Sequence, residues 1–373
     1  MQSHNEFSTS SECTRKTVWL LVAVALNALE FFIPRLPFFP WLKLGLANCI
    51  TIIWIIKYGT ADAVLYTILR SWISGFYFGF SFLTLSLSLS GGILATLAMG
   101  FTWRLFGKRG LMGSVGIGII GALFHNAGQL AAVYFLVVRN ISVFYQIPFM
   151  VAASVLFGSA VGFLVPAFWQ ILNSEEFTAG AESRINFKGF TIKHVAGSLS
   201  LLAFCISMLL IQDITALSIM ALLITITASM ARRSFKPFLY PARFWPLFFF
   251  VFCMYSFFSF GTRLSWASFL TNEGIRASIL QSLRIWAWLE TGLLLSGLRF
   301  NEIFLSVLKR FFPGREETLT AGIFALESFP EVLRFAKSSQ CRSGLPFFKK
   351  PLFSLSEFLI RVQRHVTQLI PNS

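Results

Sequence analysis

Asn48, Arg70, His125, Asn126 and Gln129 stand out because each lies in or beside a long apolar run. In hydrocarbon, a polar side chain is retained where it touches a ligand, lines a water-filled cavity or bonds to another helix. Arg70 sits within the run from Ala61 to Phe80 and needs a partner. Glu30 is one candidate counter-ion, an anionic ligand is another, and snorkelling toward an interface is the third. His125 and Gln129 are four residues apart, so they share a helix face, with Asn126 beside them. These three residues either orient a polar ligand group or bond neighbouring helices. Gly113, Gly116, Gly118, Gly121 and Gly128 make the same helix a close-packing one. Asn48 opens a span after Lys43-Leu44-Gly45-Leu46-Ala47. Ser86, Ser88 and Ser90, before Gly91 and Gly92, line a polar path or bond back to their own helix. The GxxxG pairs Gly75/Gly79 and Gly158/Gly162 read as packing.

Other chemistry lacks its residues. Gly107-Lys108-Arg109 has neither the upstream glycine nor the Ser or Thr of a phosphate-binding loop. The only aspartates, Asp62 and Asp213, are far apart, which argues against a magnesium diphosphate site of the prenyl synthase kind. The histidines His4, His125, His194 and His365, without a GxSxG motif, support no hydrolytic triad. Cys13, Cys49, Cys205, Cys253 and Cys341 are scattered and read as apolar fillers. No catalytic residue, metal site or cofactor is expected.

The elements that must hold the polar residues follow from composition. Of 373 residues, 55% are hydrophobic and 13% charged, far below the roughly 25% charged of soluble domains. The chain reads as an all-α polytopic membrane protein. Its net charge of +15 is assigned to cytoplasmic loops beside anionic headgroups, not to nucleic acid. Apolar runs long enough to be spans lie near Thr17–Pro34, Leu44–Ile56, Ala61–Phe80, Leu83–Trp103, Leu111–Val138 and Phe149–Ile171. Four more lie near Val195–Ile211, Ile214–Met230, Phe244–Phe260 (interrupted early by Pro246) and Ile279–Leu298. The resulting organisation is a segment 1–16, a six-helix block 17–172, a polar linker 173–193, a second block 194–298 and a basic tail 299–373. An inside N-terminus places Arg15, Lys16, Lys57, Arg104, Lys108, Arg109, the linker, Arg232, Arg233, Lys236 and the tail on the cytoplasmic side of the inner membrane.

The order Glu30…Pro34, Leu44-Gly45-Leu46-Ala47-Asn48, Arg70, Ser88-x-Ser90-Gly91-Gly92, Gly121-Ala122-x-x-His125-Asn126-x-Gly128-Gln129 and Pro148 resembles the Gx transporter family, also called heptaprenyl diphosphate synthase component I, over about residues 17–172. That family resembles the six-helix substrate-binding S components of energy-coupling factor (ECF) transporters. Residues from about 194 to 345 are similar to the T component of those transporters. The stretch from Phe329 to Gly344 is similar to a coupling helix ending in Ala-Arg-Gly, with Cys341, Arg342 and Ser343 at the triplet. Only the arginine matches, and no second such motif is recognisable between Pro346 and Ser373.

The resemblance implies a membrane subunit that captures a small molecule and couples to separate ABC-type ATPase subunits through Arg342, with Gln340 and Arg334 nearby. A guanidinium at a helix end can bind partner carboxylates bidentately. The same segment also reads as a solvated basic helix or one lying on anionic lipid. The rival functions are an accessory membrane component of polyprenyl (heptaprenyl) diphosphate or quinone biosynthesis, and a scaffold. For the topology, reporter fusions after Lys188 and at Ser373 are both expected to read cytoplasmic, and an external reading at either overturns the span count.

Overall fold

The computed structural model describes residues 11–32, 45–78, 82–172, 192–258, 262–264, 267–295 and 300–342. Most of the linker and the chain beyond Arg342, including Pro346 to Ser373, lie outside them. The protein is all-α apart from a small antiparallel hairpin, β1 (Arg263–Leu264) and β2 (Ala267–Thr271). The first block consists of α1 (Ser11–Phe32), α2 (Asn48–Tyr58), α3 (Thr60–Phe78), α4 (Phe82–Thr102), α5 (Ser114–Val133) and α6 (Ile147–Leu172). The second has α7 (Ile192–Leu210), α8 (Ile214–Arg232), the single turn α9 (Lys236–Leu239), α10 (Trp245–Phe258) and α11 (Asn272–Leu295), and the tail adds α12 (Phe300–Phe311) and α13 (Glu316–Arg342). Every apolar run expected from the sequence falls on a helix.

Among the described residues, five stretches are long and apolar enough to cross a membrane: Phe82–Gly107, Ser114–Val138, Ile141–Gln170, Ile214–Arg232 and Lys236–Phe257. Phe101, Phe135 and Phe163 on them are 64%, 66% and 73% exposed, which lipid accommodates and water does not. The expected second crossing differs. Helix α2 has 11 residues, so it is about 16 Å long, roughly half a bilayer core, and Asn48 to Ile55 are all buried by protein. Gly59 explains its abrupt end. At φ +87°, where a Cβ is strained, it lets α3 begin one residue after α2 stops. Pro246 does not interrupt a span either. It lies in the first turn of α10, where the missing N–H has no intrahelical acceptor to lose.

Glycine brings α4, α5 and α6 into backbone contact. A Cβ on Gly158 would lie 2.6 Å from Ile119 Cα, one on Gly162 2.3 Å from Val115 Cα, and one on Gly128 2.5 Å from the Ser90 carbonyl oxygen. The packing reading of Gly158 and Gly162 holds.

The chain's last described helices pack on its first. Asp62, 4% exposed at the start of α3, accepts from the Trp54 indole N–H (2.9 Å), the Thr318 hydroxyl (2.7 Å) and the Arg315 guanidinium (2.7 Å). Lys16 donates to Thr318 Oγ1 (3.1 Å) and Glu317 Oε2 (3.3 Å) and lies 3.9 Å from Asp62. Farther along, the Tyr77 hydroxyl donates to the Leu326 carbonyl at 2.5 Å. Helix α13 therefore runs in the same direction as α1 and α3. Removing one member of a buried ionic network costs about 3–5 kcal/mol. Asp62→Ala is accordingly expected to lower the thermal unfolding midpoint in detergent sharply and to make the segment around Arg315 protease-sensitive. An unchanged midpoint would show that the network does not hold α13 in place.

Candidate functional site

Short, buried α2 carries Asn48 into the interior opposite α5 and α6, and a narrow cleft opens between them. Gly45, Asn48, Gly118, Ala122, His125, Asn126, Ala153, Phe157 and Val161 line it. Its enclosed volume is about 10 Å³, room for about one water molecule, so a small organic molecule enters only if the surrounding helices move apart. Apolar walls with a few polar groups at one place suit an organic molecule carrying a polar group.

All five sequence-predicted site residues are buried: Asn48, Arg70, His125, Asn126 and Gln129. Asn48, His125 and Asn126 share the cleft, and Arg70 joins them through a 3.5 Å bond from Nη1 to Asn48 Oδ1. His125 and Gln129 do share a face, directed at α4: a Cβ on Gly91 would lie 3.1 Å from His125 Cε1 and 2.8 Å from Gln129 Cγ. Gln129 Oε1 is buried with no hydrogen-bond partner among the described residues. Asn126 is held otherwise. Its amide donates to Ser154 Oγ (2.9 Å) and the Met150 carbonyl (3.4 Å), so its N–H groups bond α5 to α6. Glu30 accepts from the Leu46 backbone N–H, bracing the chain just before Asn48. Ser88 bonds Ser71 at 3.1 Å, and Ser90 bonds back to Leu87 at 3.2 Å.

Arg334, Gln340 and Arg342 lie on the last turns of α13, which is continuous to Arg342 with Pro330 inside it. Because α13 starts at Lys16 and passes Tyr77 at the far end of α3, it carries these residues away from Lys16. Exposed Arg104, Lys108 and Arg109 lie at the Lys16 end, since Gly100 abuts Thr60 at the start of α3.

Sequence reasoning did not find the Asp62 network, because its members are separated by about 250 residues and its only local signal was an aspartate at a helix start. It also did not single out Glu290, fully buried in α11 with neither carboxylate oxygen hydrogen-bonded among the described residues.

These features define an all-α, multi-pass membrane protein with a polar-lined cleft in its first block. Residues 20–168 match the family model described as Heptaprenyl diphosphate synthase component I, the family that the sequence order above resembles. The match covers all five candidate ligand residues and ends before the second block. No curated protein and no solved structure matches the chain.

A buried amide oxygen without a donor destabilises the ligand-free fold by about 1–3 kcal/mol. Gln129→Met is therefore expected to raise the melting temperature of the ligand-free protein, whereas Asn126→Ala lowers it by loosening α5 from α6. A lowered melting temperature for Gln129→Met would assign Gln129 to helix packing.

Proposed function

We propose that the chain is a membrane subunit of an ECF-type, ABC-class importer. Its first block captures a small molecule, and its second block couples that capture to ATP hydrolysis on separate subunits. The convergence of Asn48, His125 and Asn126 on one apolar cleft, with Arg70 bonded to Asn48, carries the reading. A structural set of polar residues would be spread along helix seams. These meet at a short helix that ends inside the protein, where a ligand reaches side chains from α2, α5 and α6 together.

Capture proceeds by exchange of partners. The ligand's apolar part fills the space between Ala122, Ala153, Phe157 and Val161, and its polar part bonds to Asn48 and His125. Gln129, beside His125, supplies a further acceptor once α4 and α5 part slightly. The cleft is narrow as it stands, so entry requires α2 or α6 to move outward.

For coupling, the resemblance favours Arg342, with Gln340 and Arg334, as the ATPase contact. The direction of α13 makes the end carrying Arg104, Lys108 and Arg109 the competing docking surface. The family's description, Heptaprenyl diphosphate synthase component I, favours one other reading, an accessory role in heptaprenyl diphosphate synthesis, in which the partner is a soluble prenyl synthase.

Gentle purification of the tagged full-length protein from its native membrane separates these readings. The expected result is a retained small molecule, diminished by His125→Ala, together with copurified ATPases. Charge reversal at whichever end docks them, Arg342→Glu or Arg109→Glu, abolishes their recovery, while the other reversal leaves it intact. Recovery of a prenyl synthase without ATPases would overturn the importer reading in favour of the biosynthetic one.

A further inference from the structure

Arg70 is a buried cation whose charge the described protein does not balance. It is 4% exposed, in the middle of α3. Its hydrogen bond to Asn48 Oδ1 is 3.5 Å long, beyond the usual range for N–H···O. Its guanidinium carbon stands 5.8 Å from the centre of the Tyr66 ring, a cation–π contact that lowers the charge's energy without neutralising it. Its Nε is buried without a hydrogen-bond partner, and no carboxylate among the described residues lies within ion-pair distance of it. Arginine does not escape such a position by losing its proton, and it has five N–H donors to satisfy. A buried charge left in this condition destabilises a fold by several kcal/mol unless something pairs with it.

The surroundings define what can pair. Asn48, the group now touching Arg70, also lines the cleft, so the guanidinium is one side chain away from the space a ligand enters. On its other side α4 comes close at a glycine: a Cβ on Gly92 would lie 3.8 Å from Arg70 Nη2 and 3.9 Å from Ser71 Oγ. Ser71 is in turn bonded to Ser88. A planar fork of donors with an amide and two hydroxyls nearby matches the two coplanar oxygens of a carboxylate or phosphate group. Glu30 accepts from the Leu46 backbone N–H, just before Asn48.

We infer that Arg70 binds the oxyanion group, carboxylate or phosphate, of the molecule captured by the first block, with Asn48 turning from Arg70 toward the cleft as the anion arrives. The inference rests on the capture reading above and adds the ligand's charge to it. A neutral ligand would leave Arg70 as unbalanced as before, whereas an anion converts a destabilising group into the strongest contact in the site.

Thermal unfolding of the detergent-purified full-length protein tests this with sodium benzoate, benzamide, sodium phosphate and sodium chloride at equal ionic strength. At least one of benzoate and phosphate is expected to raise the melting temperature above that in chloride, with benzamide inert. The responding anion tells a carboxylate site from a phosphate site. The shift should vanish in Arg70→Met. In Arg70→Lys, which keeps the charge but loses the fork, it should persist only at about tenfold or more higher anion concentration, so the lysine variant carries the test if the methionine variant does not fold. No response of the unaltered protein to either anion, or a full response in Arg70→Met, overturns the inference. Mass spectrometry of the retained molecule separates this from failure of the capture reading. A neutral retained molecule lost in His125→Ala but kept in Arg70→Met removes the anion and leaves capture standing; no retained molecule removes capture itself.

Discussion

Backbone contact among α4, α5 and α6 is the constraint on which the first block depends. Without an aqueous phase to drive helices together, membrane helices associate through close packing and through hydrogen bonds between them. Gly118, Gly128, Gly158 and Gly162 remove the Cβ atoms that would hold these helices apart. The approach has a chemical consequence. With α5 pressed between its neighbours, His125 and Gln129 face α4 while Asn126 reaches Ser154 on α6, so three neighbouring polar residues are sent to different partners. Asn126 fastens the helices and, with His125, also lines the cleft.

A second constraint is set at the other side of the block. Asp62 gathers Trp54, Arg315 and Thr318, with Lys16 beside them, and so joins α1, α2 and α3 to α13. This is a complete account of one buried charge, made entirely within the chain. Arg70, on the same helix two turns away, has no comparable set. One helix thus carries, two turns apart, an aspartate with several partners and an arginine with a long bond to Asn48 and a cation–π contact. That helix, α3, is also joined to α13 at two points, Asp62 and Tyr77.

The fold class was legible in the sequence because hydropathy reports burial in lipid directly, and each apolar run became a helix. The convergence of Asn48, His125 and Asn126 was legible as well, since polar residues in apolar helices must face inward. Three things were not. The half-length of α2 depended on Gly59 adopting a left-handed conformation, which composition does not reveal. The role of Asn126 depended on Ser154 and the Met150 carbonyl lying opposite it, a matter of helix rotation. The direction of α13 depended on pairs such as Asp62 with Arg315 that lie far apart in sequence.

The central claim is that the first block holds a ligand site where α2, α4, α5 and α6 meet. A high-resolution cryo-electron microscopy map of the full-length protein, purified gently enough to keep what it carries, tests this most directly. The account predicts non-protein density in the cleft, within hydrogen-bond distance of Asn48 or His125 and reaching Arg70. A cleft closed over by Phe157 and Val161, with Arg70 paired to a carboxylate of the chain itself, would contradict it.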